Sequence, residues 1–310
     1  MRIAIIGDIH LFRLKVHYSR LLGKRLLGQS NLWLNRRFRF NHSLLDLIIE
    51  RTQELEPDLV LLTGDVTTTS LEDEFSDIVR YFEPLAQTAP VLMVPGNHDR
   101  YTFRSASSRR VENIMSSLLP RTFPHHQKLT DRWHLLGLDS ARPQIVFSRG
   151  ELGQPQFDKT AELLSNMKKD EGVLVLCHYP ASTPPGTPRS WAHDLAEAEK
   201  LDKLLDQCPA RVVFVHGHIH KPWHWIRRHG TAGNGATEPH MTCVNAGAPC
   251  MTSANFPMGQ GLWELQLPDD PHDDLHLVHH VPTPDGHYGT FGAKGRAKKA
   301  EATWQARRVV

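Results

Sequence analysis

Residues 2–10, RIAIIGDIH, combine a predicted strand with two polar side chains at its end. A short apolar-rich run, Arg2–Ile6, is followed at once by Gly7 and then by a carboxylate, Asp8, and an imidazole, His10. Such a run is typical of a strand that is buried on both faces. Because residues i and i+2 share a face of an extended segment, Asp8 and His10 are predicted to point to the same side just past the end of this strand.

The same kind of short apolar run recurs along the chain and alternates with segments of helical periodicity. Further strands are predicted at Asp58–Leu62, Val91–Val94, His134–Leu138, Val173–Cys177 and Arg211–Val215. Helices are predicted between them at Leu44–Glu56, Leu71–Ala86, Phe157–Met167 and Leu195–Leu205. This alternation indicates an α/β architecture.

The pattern changes after Val215, where helical periodicity stops. Four strand-like stretches follow, at Trp223–Ile226, Met241–Asn245, Gly261–Leu267 and Leu275–Val281. They predict a second, more antiparallel sheet that closes the domain.

Composition excludes several classes of protein. The 310 residues include 36 Lys plus Arg and 34 Asp plus Glu, and 40% of them are hydrophobic. These proportions fit a globular protein and exclude both a bulk polycation and an acidic disordered chain. The four cysteines form no CxxC pair, which argues against a disulfide framework or a thiolate zinc site. No apolar run approaches the roughly 20 residues of a membrane span, so we expect a cytoplasmic protein.

The near-neutral total hides an uneven distribution of charge. Residues 11–45 carry eight basic residues and no acidic one, and residues 292–310 carry six basic residues against a single glutamate. We predict one domain over residues 1–285, with a basic amphipathic insert at 11–45, and a flexible basic tail over residues 286–310. Because the insert directly follows His10, its ends are expected to lie beside the site.

Leucines and aromatic residues are interleaved with the basic residues of the insert, which leaves three interpretations open. The insert could be a helical hairpin that packs on the domain and extends its long basic side chains to water. It could instead capture an anionic lipid or a nucleotide phosphate, with peripheral contact at the inner membrane surface. We do not favour the third interpretation, nucleic-acid binding.

Clusters of potential ligands follow the predicted strands. After Asp8 and His10 come Gly64-Asp65, Gly96-Asn97-His98-Asp99, His178 and Gly217-His218-Ile219-His220. In open α/β sheets, sites form at the carboxyl ends of the strands. Imidazole nitrogens combined with carboxylate and amide oxygens suit Zn, Fe or Mn better than Ca.

Taken in order, the motifs D-x-H, G-D, G-N-H-D, H and G-H-x-H resemble those of the calcineurin-like metallophosphoesterase superfamily. The resemblance covers residues 3–221 and implies a four-layer α-β-β-α sandwich of two mixed sheets flanked by helices. It also implies two divalent or mixed-valence transition metal ions, Mn, Fe or Zn. In the family pattern, one ion is held by Asp8, His10 and His220 and the other by Asn97, His178 and His218, with Asp65 bridging both.

The resemblance further implies a metal-dependent phosphoric ester hydrolase, in which a hydroxide that bridges the two metal ions attacks phosphorus in line. His98 would stabilise the equatorial oxygens or protonate the leaving oxygen, and Asp99 would orient His98. The loop Ser182–Arg189, with three prolines, would form one wall of the site's mouth.

The third motif ends in Asp99 rather than glutamate, which departs from the protein Ser/Thr phosphatases of the superfamily. The motifs are most similar to the bacterial phosphodiesterase branch, which implies a small or lipid-linked phosphodiester as substrate. One alternative is a nucleotide-lipid pyrophosphatase of the UDP-diacylglucosamine type, although those enzymes typically carry arginine where this chain has His98. Another is a non-catalytic scaffold with the same fold.

Overall fold

Two six-stranded sheets lie face to face in the computed structural model, which describes residues 1–13, 38–145, 147–228, 239–284 and 302–308. The strands are β1 (Arg2–Ile6), β2 (Leu59–Leu62), β3 (Val91–Met93), β4 (His125–Lys128), β5 (Trp133–Leu138), β6 (Gly172–Cys177), β7 (Arg211–His216), β8 (Trp223–Arg228), β9 (Pro239–Asn245), β10 (Leu262–Gln266), β11 (His276–Pro284) and β12 (Ala302–Arg308). The helices are α1 (Leu45–Glu54), α2 (Glu72–Ala86), α3 (Phe103–Ser107), α4 (Arg110–Ile114), α5 (Gln154–Ser165) and α6 (Ala198–Gln207).

The core between the two sheets is apolar. Ile3 and Ile5 of β1 pack there together with Trp133 of β5, Leu174 of β6 and Val213 of β7, and all five are fully buried. On the outer faces, α1 and α2 cover the first sheet, while α5 and α6 cover the second. Since every strand near the centre is buried on both faces, apolar residues run continuously along it. The predicted four-layer α-β-β-α sandwich is confirmed.

The strand order is β12-β11-β10-β1-β2-β3 in the first sheet and β4-β5-β6-β7-β9-β8 in the second. The neighbours β1, β2 and β3 are parallel, as are β5, β6, β7 and β9. Therefore β1–β3 end on one side of their sheet, and β6 and β7 do the same in the other. This arrangement brings five loops to one edge of the sandwich.

The last strands differ from the expectation of a separate antiparallel sheet. β8 and β9 extend the second sheet, with β9 parallel to β7, whereas β10 and β11 extend the first sheet from β1. Each pair covers a sheet edge whose backbone N–H and C=O groups would otherwise be unpaired. Strand periodicity in the sequence does not reveal which edge a strand joins, and this is why the prediction was wrong.

The predicted flexible tail contains a strand. Ala302–Arg308 forms β12, which pairs antiparallel with β11 from Val278 opposite Arg308 to Pro284 opposite Ala302. The sequence did not predict a strand in these seven residues. Residues 14–37 of the basic insert, and the remainder of residues 286–310, lie outside the described residues. Within the described part of the chain, no helix has a stretch that is long and apolar enough to cross a bilayer.

Candidate dinuclear metal centre

The loops that follow β1, β2, β3, β6 and β7 bring all seven predicted metal ligands together. A first group consists of Asp8, His10, Asp65 and His220, whose ligand atoms all lie within 4.8 Å of one another. His10 Nε2 lies 2.7 Å from His220 Nε2. His220 Nε2 lies 3.3 Å from Asp8 Oδ2, and His10 Nε2 lies 3.6 Å from Asp65 Oδ2. Three of these four residues are buried, and His220 is partly exposed.

A second group adjoins the first through Asp65. The Oδ2 atom of Asp65 lies 3.5 Å from His178 Nε2, so the same oxygen faces both groups. Asn97 Oδ1 lies 3.2 Å from His178 Nε2 and 3.1 Å from His218 Nδ1. These distances place Asp65 between the two groups.

Neighbouring backbone carbonyls fix which ring nitrogen of two histidines can bind a metal. A carbonyl oxygen only accepts, so His178 donates its Nδ1–H to Thr63 O at 2.9 Å, and His218 donates its Nε2–H to His193 O at 2.8 Å. The opposite nitrogens, His178 Nε2 and His218 Nδ1, are those that face Asn97. Hydrogen bonds of this kind orient metal-binding imidazoles and keep the ligating nitrogen unprotonated.

The electrostatics of the cluster favour bound cations. Burial, followed by the nearby charge of Asp65, raises the pKa of Asp8 well above its usual value. Burial also lowers the pKa of His178 to about 4 and holds that of His218 well below its ordinary value. Two buried carboxylates beside neutral imidazoles need a compensating positive charge. The donor set is four imidazoles, two carboxylates and one amide oxygen, which fits two transition metal ions.

The backbone bends sharply at the ligands. His10, Asp65, His218 and His220 have φ between 41° and 70°, in the left-handed region that non-glycine residues seldom adopt. Strain of this kind persists where the surrounding structure enforces it, commonly at functional sites. Four of the seven predicted ligands therefore occupy backbone conformations that the fold must maintain.

Two glycines allow the loops to approach the carboxylates closely. A Cβ atom on Gly96 would lie 2.2 Å from Asp65 Oδ1, and one on Gly217 would lie 2.2 Å from Asp8 Oδ1. Neither distance is compatible with a side chain. The G-N-H-D and G-H-x-H motifs thus need glycine because a site carboxylate occupies the space that a side chain would fill.

The predicted role of Asp99 is corrected by the structure. Its carboxylate accepts hydrogen bonds from the N–H of Gly96 at 2.9 Å and from both the N–H and the hydroxyl of Thr67 at 3.0 Å. Instead, His98 is oriented by Thr68, whose carbonyl oxygen accepts its Nδ1–H at 2.7 Å. Asp99 is buried, and burial together with the charge of Asp65 raises its pKa to about 6. It is therefore a positioning residue for the turn that carries Asn97 and His98, and not the partner of the His98 ring.

Sequence reasoning missed the side chains that contact His10 from outside the predicted ligand set, namely Thr68, Phe40 and His42. Thr68 Oγ donates to His10 O at 2.7 Å, and the Nε2–H of His42 donates to the same carbonyl at 3.1 Å. The Phe40 ring lies edge-on to that of His10, with 5.2 Å between their centroids. The expectation that the ends of the insert lie beside the site is confirmed. The run Thr67-Thr68-Thr69 after Asp65 was the available signal in the sequence.

A cleft of about 870 Å³ opens over the cluster. Asp65, Asn97, His98, His218 and His220 line its inner part. One wall is formed by residues 183–190, which confirms the predicted wall at Ser182–Arg189. The cleft lies in the size range of small-molecule sites, so a substrate of nucleotide size can reach the cluster.

Comparison with known proteins agrees with this geometry. The family model for calcineurin-like phosphoesterases matches residues 1–222. A 3′,5′-cyclic adenosine monophosphate phosphodiesterase from Pseudomonas aeruginosa is 29% identical over 220 residues, covering 70% of this chain and 68% of that protein. A protein from Rhodococcus erythropolis, named as a probable cyclic nucleotide phosphodiesterase, is 27% identical over 53% of this chain and 52% of its own length.

Solved structures show the same fold at low sequence identity. A dimetal phosphatase from Danio rerio superposes with a TM-score of 0.58 at 14% identity, covering 89% of this chain and 94% of that one. A purple acid phosphatase from yellow lupin seeds gives a TM-score of 0.56 at 14% identity, covering 90% of this chain and 51% of that one. The family model spans more than half of the chain and contains every motif of the cluster. The chain therefore belongs to the calcineurin-like phosphoesterase family and is a metal-dependent phosphoric ester hydrolase.

Proposed function

We propose that this protein is a phosphodiesterase for small phosphodiesters and that 3′,5′-cyclic nucleotides are its substrate class. The observation that carries the proposal is the gathering of the seven proposed metal-binding side chains, with Asp65 at their centre, at one cleft with His98. The choice of cyclic nucleotides is supported by relatives from Pseudomonas aeruginosa and Rhodococcus erythropolis whose names give that activity. A cyclic nucleotide is small enough for the cleft.

The charges of the proposed ligands suit an anionic diester. Asp8 and Asp65 bring two negative charges, while Asn97 and the four ligand histidines are neutral when they bind a metal. Two divalent ions would therefore leave the centre with a net positive charge. When bound, such ions polarise a phosphoryl oxygen and lower the pKa of a coordinated water, so that attack on phosphorus proceeds at neutral pH.

The protein's own contribution is positioning and proton transfer. Asp8, His10 and His220 would hold one ion and Asn97, His178 and His218 the other, with Asp65 keeping the two at a fixed separation. His98 donates its Nδ1–H to Thr68 O, which leaves Nε2 as the nitrogen that can act on a phosphoryl or leaving oxygen. Nε2 would donate a proton there from the imidazolium form, in which both nitrogens are protonated. The ring of Tyr101 stacks on the His98 imidazole, with 5.3 Å between their centroids, and restricts its rotation.

The proposal predicts that protein loaded with Mn²⁺ converts 3′,5′-cyclic AMP to adenosine monophosphate, with product formation followed by chromatography. Bis-p-nitrophenyl phosphate should also be hydrolysed, and p-nitrophenyl phosphate, a monoester, much more slowly. UDP-diacylglucosamine serves as the competing substrate. Preferential turnover of the monoester or of the lipid-linked pyrophosphate would contradict the proposal.

A further inference from the structure

An exposed patch that includes two aromatic rings lies next in the chain to residues of the cleft. Trp191 is 64% exposed, Phe147 45% and Ile145 72%, and these are three of the five large apolar side chains that the described residues expose. The Phe147 ring meets the Trp191 ring edge-on, with 5.6 Å between centroids. The Arg149 guanidinium lies over the Trp191 ring at 4.5 Å from its centroid. Clusters of exposed apolar side chains in soluble proteins commonly mark binding surfaces.

The backbone beneath this patch is tightly held. Ser148 N–H donates to Ala192 O at 3.0 Å, and Gly150 N–H donates to Asp194 O at 3.1 Å, so the two segments that carry Phe147 and Trp191 are joined. The turn that contains Trp191 is closed by hydrogen bonds from the N–H groups of His193 and Asp194 to Ser190 O, both at 2.9 Å. The backbone that carries the two exposed rings is therefore held in place before a ligand binds, so binding costs little backbone conformational entropy.

The same support is attached to the metal ligands. Tyr179, which follows His178, donates its hydroxyl to Ser148 O at 2.6 Å, and its ring lies against that of His218 with 4.3 Å between centroids. His193, two residues after Trp191, supplies the carbonyl that orients His218. The position of the patch relative to the metal centre is thus set by contacts with the ligands themselves.

The cleft extends from the candidate metal centre to residues that adjoin this patch in the chain. Ser148 and Ser190, which adjoin Phe147 and Trp191 in the chain, line the same cavity as Asn97 and His98, and so does His193. A phosphodiester bound at the centre can extend its organic part toward these residues. The Trp191 indole has a guanidinium over its ring and the edge of a second aromatic ring beside it. Side chains of these types can stack on a planar heterocycle.

We propose that Trp191, Phe147 and Arg149 form a stacking platform that binds the nucleobase of the substrate. The inference rests on the proposed cyclic nucleotide activity and adds the residues that recognise the base. Stacking needs only a flat π face, so the platform accepts different bases and favours the larger purines over pyrimidines.

The test compares cyclic AMP with ribose 3′,5′-cyclic phosphate, which has the same reacting group and no base. In Trp191→Ala, KM for cyclic AMP is expected to rise roughly tenfold, as the loss of one stacked base predicts. The kcat for cyclic AMP and both constants for the ribose compound should be unchanged, since base stacking is equal in ground and transition states. Phe147→Ala should show the same selectivity with a smaller rise.

Phe103→Ala is the matched control, because Phe103 is 57% exposed and, unlike Phe147 and Trp191, has no immediate chain neighbour among the described residues that line the cleft. Its kinetic constants should equal those of the unaltered protein. An unchanged KM for cyclic AMP in Trp191→Ala would overturn the proposal. Equal losses of kcat/KM for cyclic AMP and for ribose 3′,5′-cyclic phosphate would also overturn the proposal, since they would show a general distortion of the site.

A binding measurement separates this inference from the proposed function. Tryptophan fluorescence should be quenched by 5′-AMP and much less by ribose 5-phosphate, and Trp191→Phe should remove most of the difference. This fluorescence result would support the stacking platform even if cyclic AMP is not hydrolysed. Failure to hydrolyse cyclic AMP would reject only the proposed substrate class. If Trp191→Ala instead abolishes sedimentation with phosphatidylglycerol vesicles and leaves AMP binding unchanged, the patch is a lipid contact and the proposal is wrong.

Discussion

Replacing Asp65 with asparagine is expected to lower both metal affinity and phosphodiester hydrolysis by at least about 100-fold. Outer partners of metal ligands already contribute about 10- to 100-fold to affinity, and Asp65 Oδ2 faces both halves of the centre directly. Asparagine removes the negative charge and can place an NH₂ group, which cannot bind a cation, between His10 and His178. The amide oxygen can still accept the His98 N–H that Asp65 Oδ1 accepts at 2.7 Å, so the turn should persist.

Metal content after dialysis, measured by mass spectrometry, and thermal unfolding followed by circular dichroism provide the readouts. Asp77→Asn is the control. Asp77 lies on α2 and forms an ion pair with Arg13, and its replacement should leave both metal content and turnover unchanged. An Asp65→Asn protein that retains two metals and normal turnover would show that this carboxylate does not bridge the centre.

The second large effect concerns His98→Ala, which should reduce kcat by roughly 10²- to 10⁴-fold, the usual contribution of a positioned proton donor or acceptor. Metal content should be unchanged because His98 is outside the proposed ligand set. Its imidazole contacts the ring of His10, with 4.7 Å between centroids. The substitution therefore leaves a gap beside His10 but removes no proposed metal ligand.

His126→Ala is the matched control, since His126 is an exposed histidine of β4 that contacts His134. It should retain full activity. A His98→Ala protein that loses metal in proportion to activity would place His98 among the metal-binding groups, and one with normal kcat would remove it from the chemistry.

The sequence predicted the members of the site better than the contacts between them. Short motifs at strand ends were sufficient to group Asp8, Asp65 and His178, because the carboxyl ends of parallel strands meet at one edge. The orientation of His98 could not be predicted, because it depends on a backbone carbonyl, that of Thr68, and backbone atoms are the same at every residue. The family resemblance implies that Asp99 orients His98, yet its carboxylate turns toward Thr67.

The fold shows the same division. Apolar runs located ten strands and four helices to within three residues of their ends. The edge strand β4 escaped detection, since its sequence, His125–Lys128, is polar and mostly exposed. Sheet membership of β8–β11 was also missed, because periodicity reports which face of a strand is buried and carries no information about its neighbour. The close approach that requires glycine at position 217 likewise involves a residue, Asp8, more than 200 positions away.

The most direct test of the metal centre is an anomalous-scattering map from crystals of the Mn²⁺-loaded protein. Two peaks about 3.5–4 Å apart are expected. One should contact Asp8, His10 and His220, the other should contact Asn97, His178 and His218, and Asp65 should touch both. A single peak, or peaks away from these seven side chains, would contradict the assignment of a dinuclear centre.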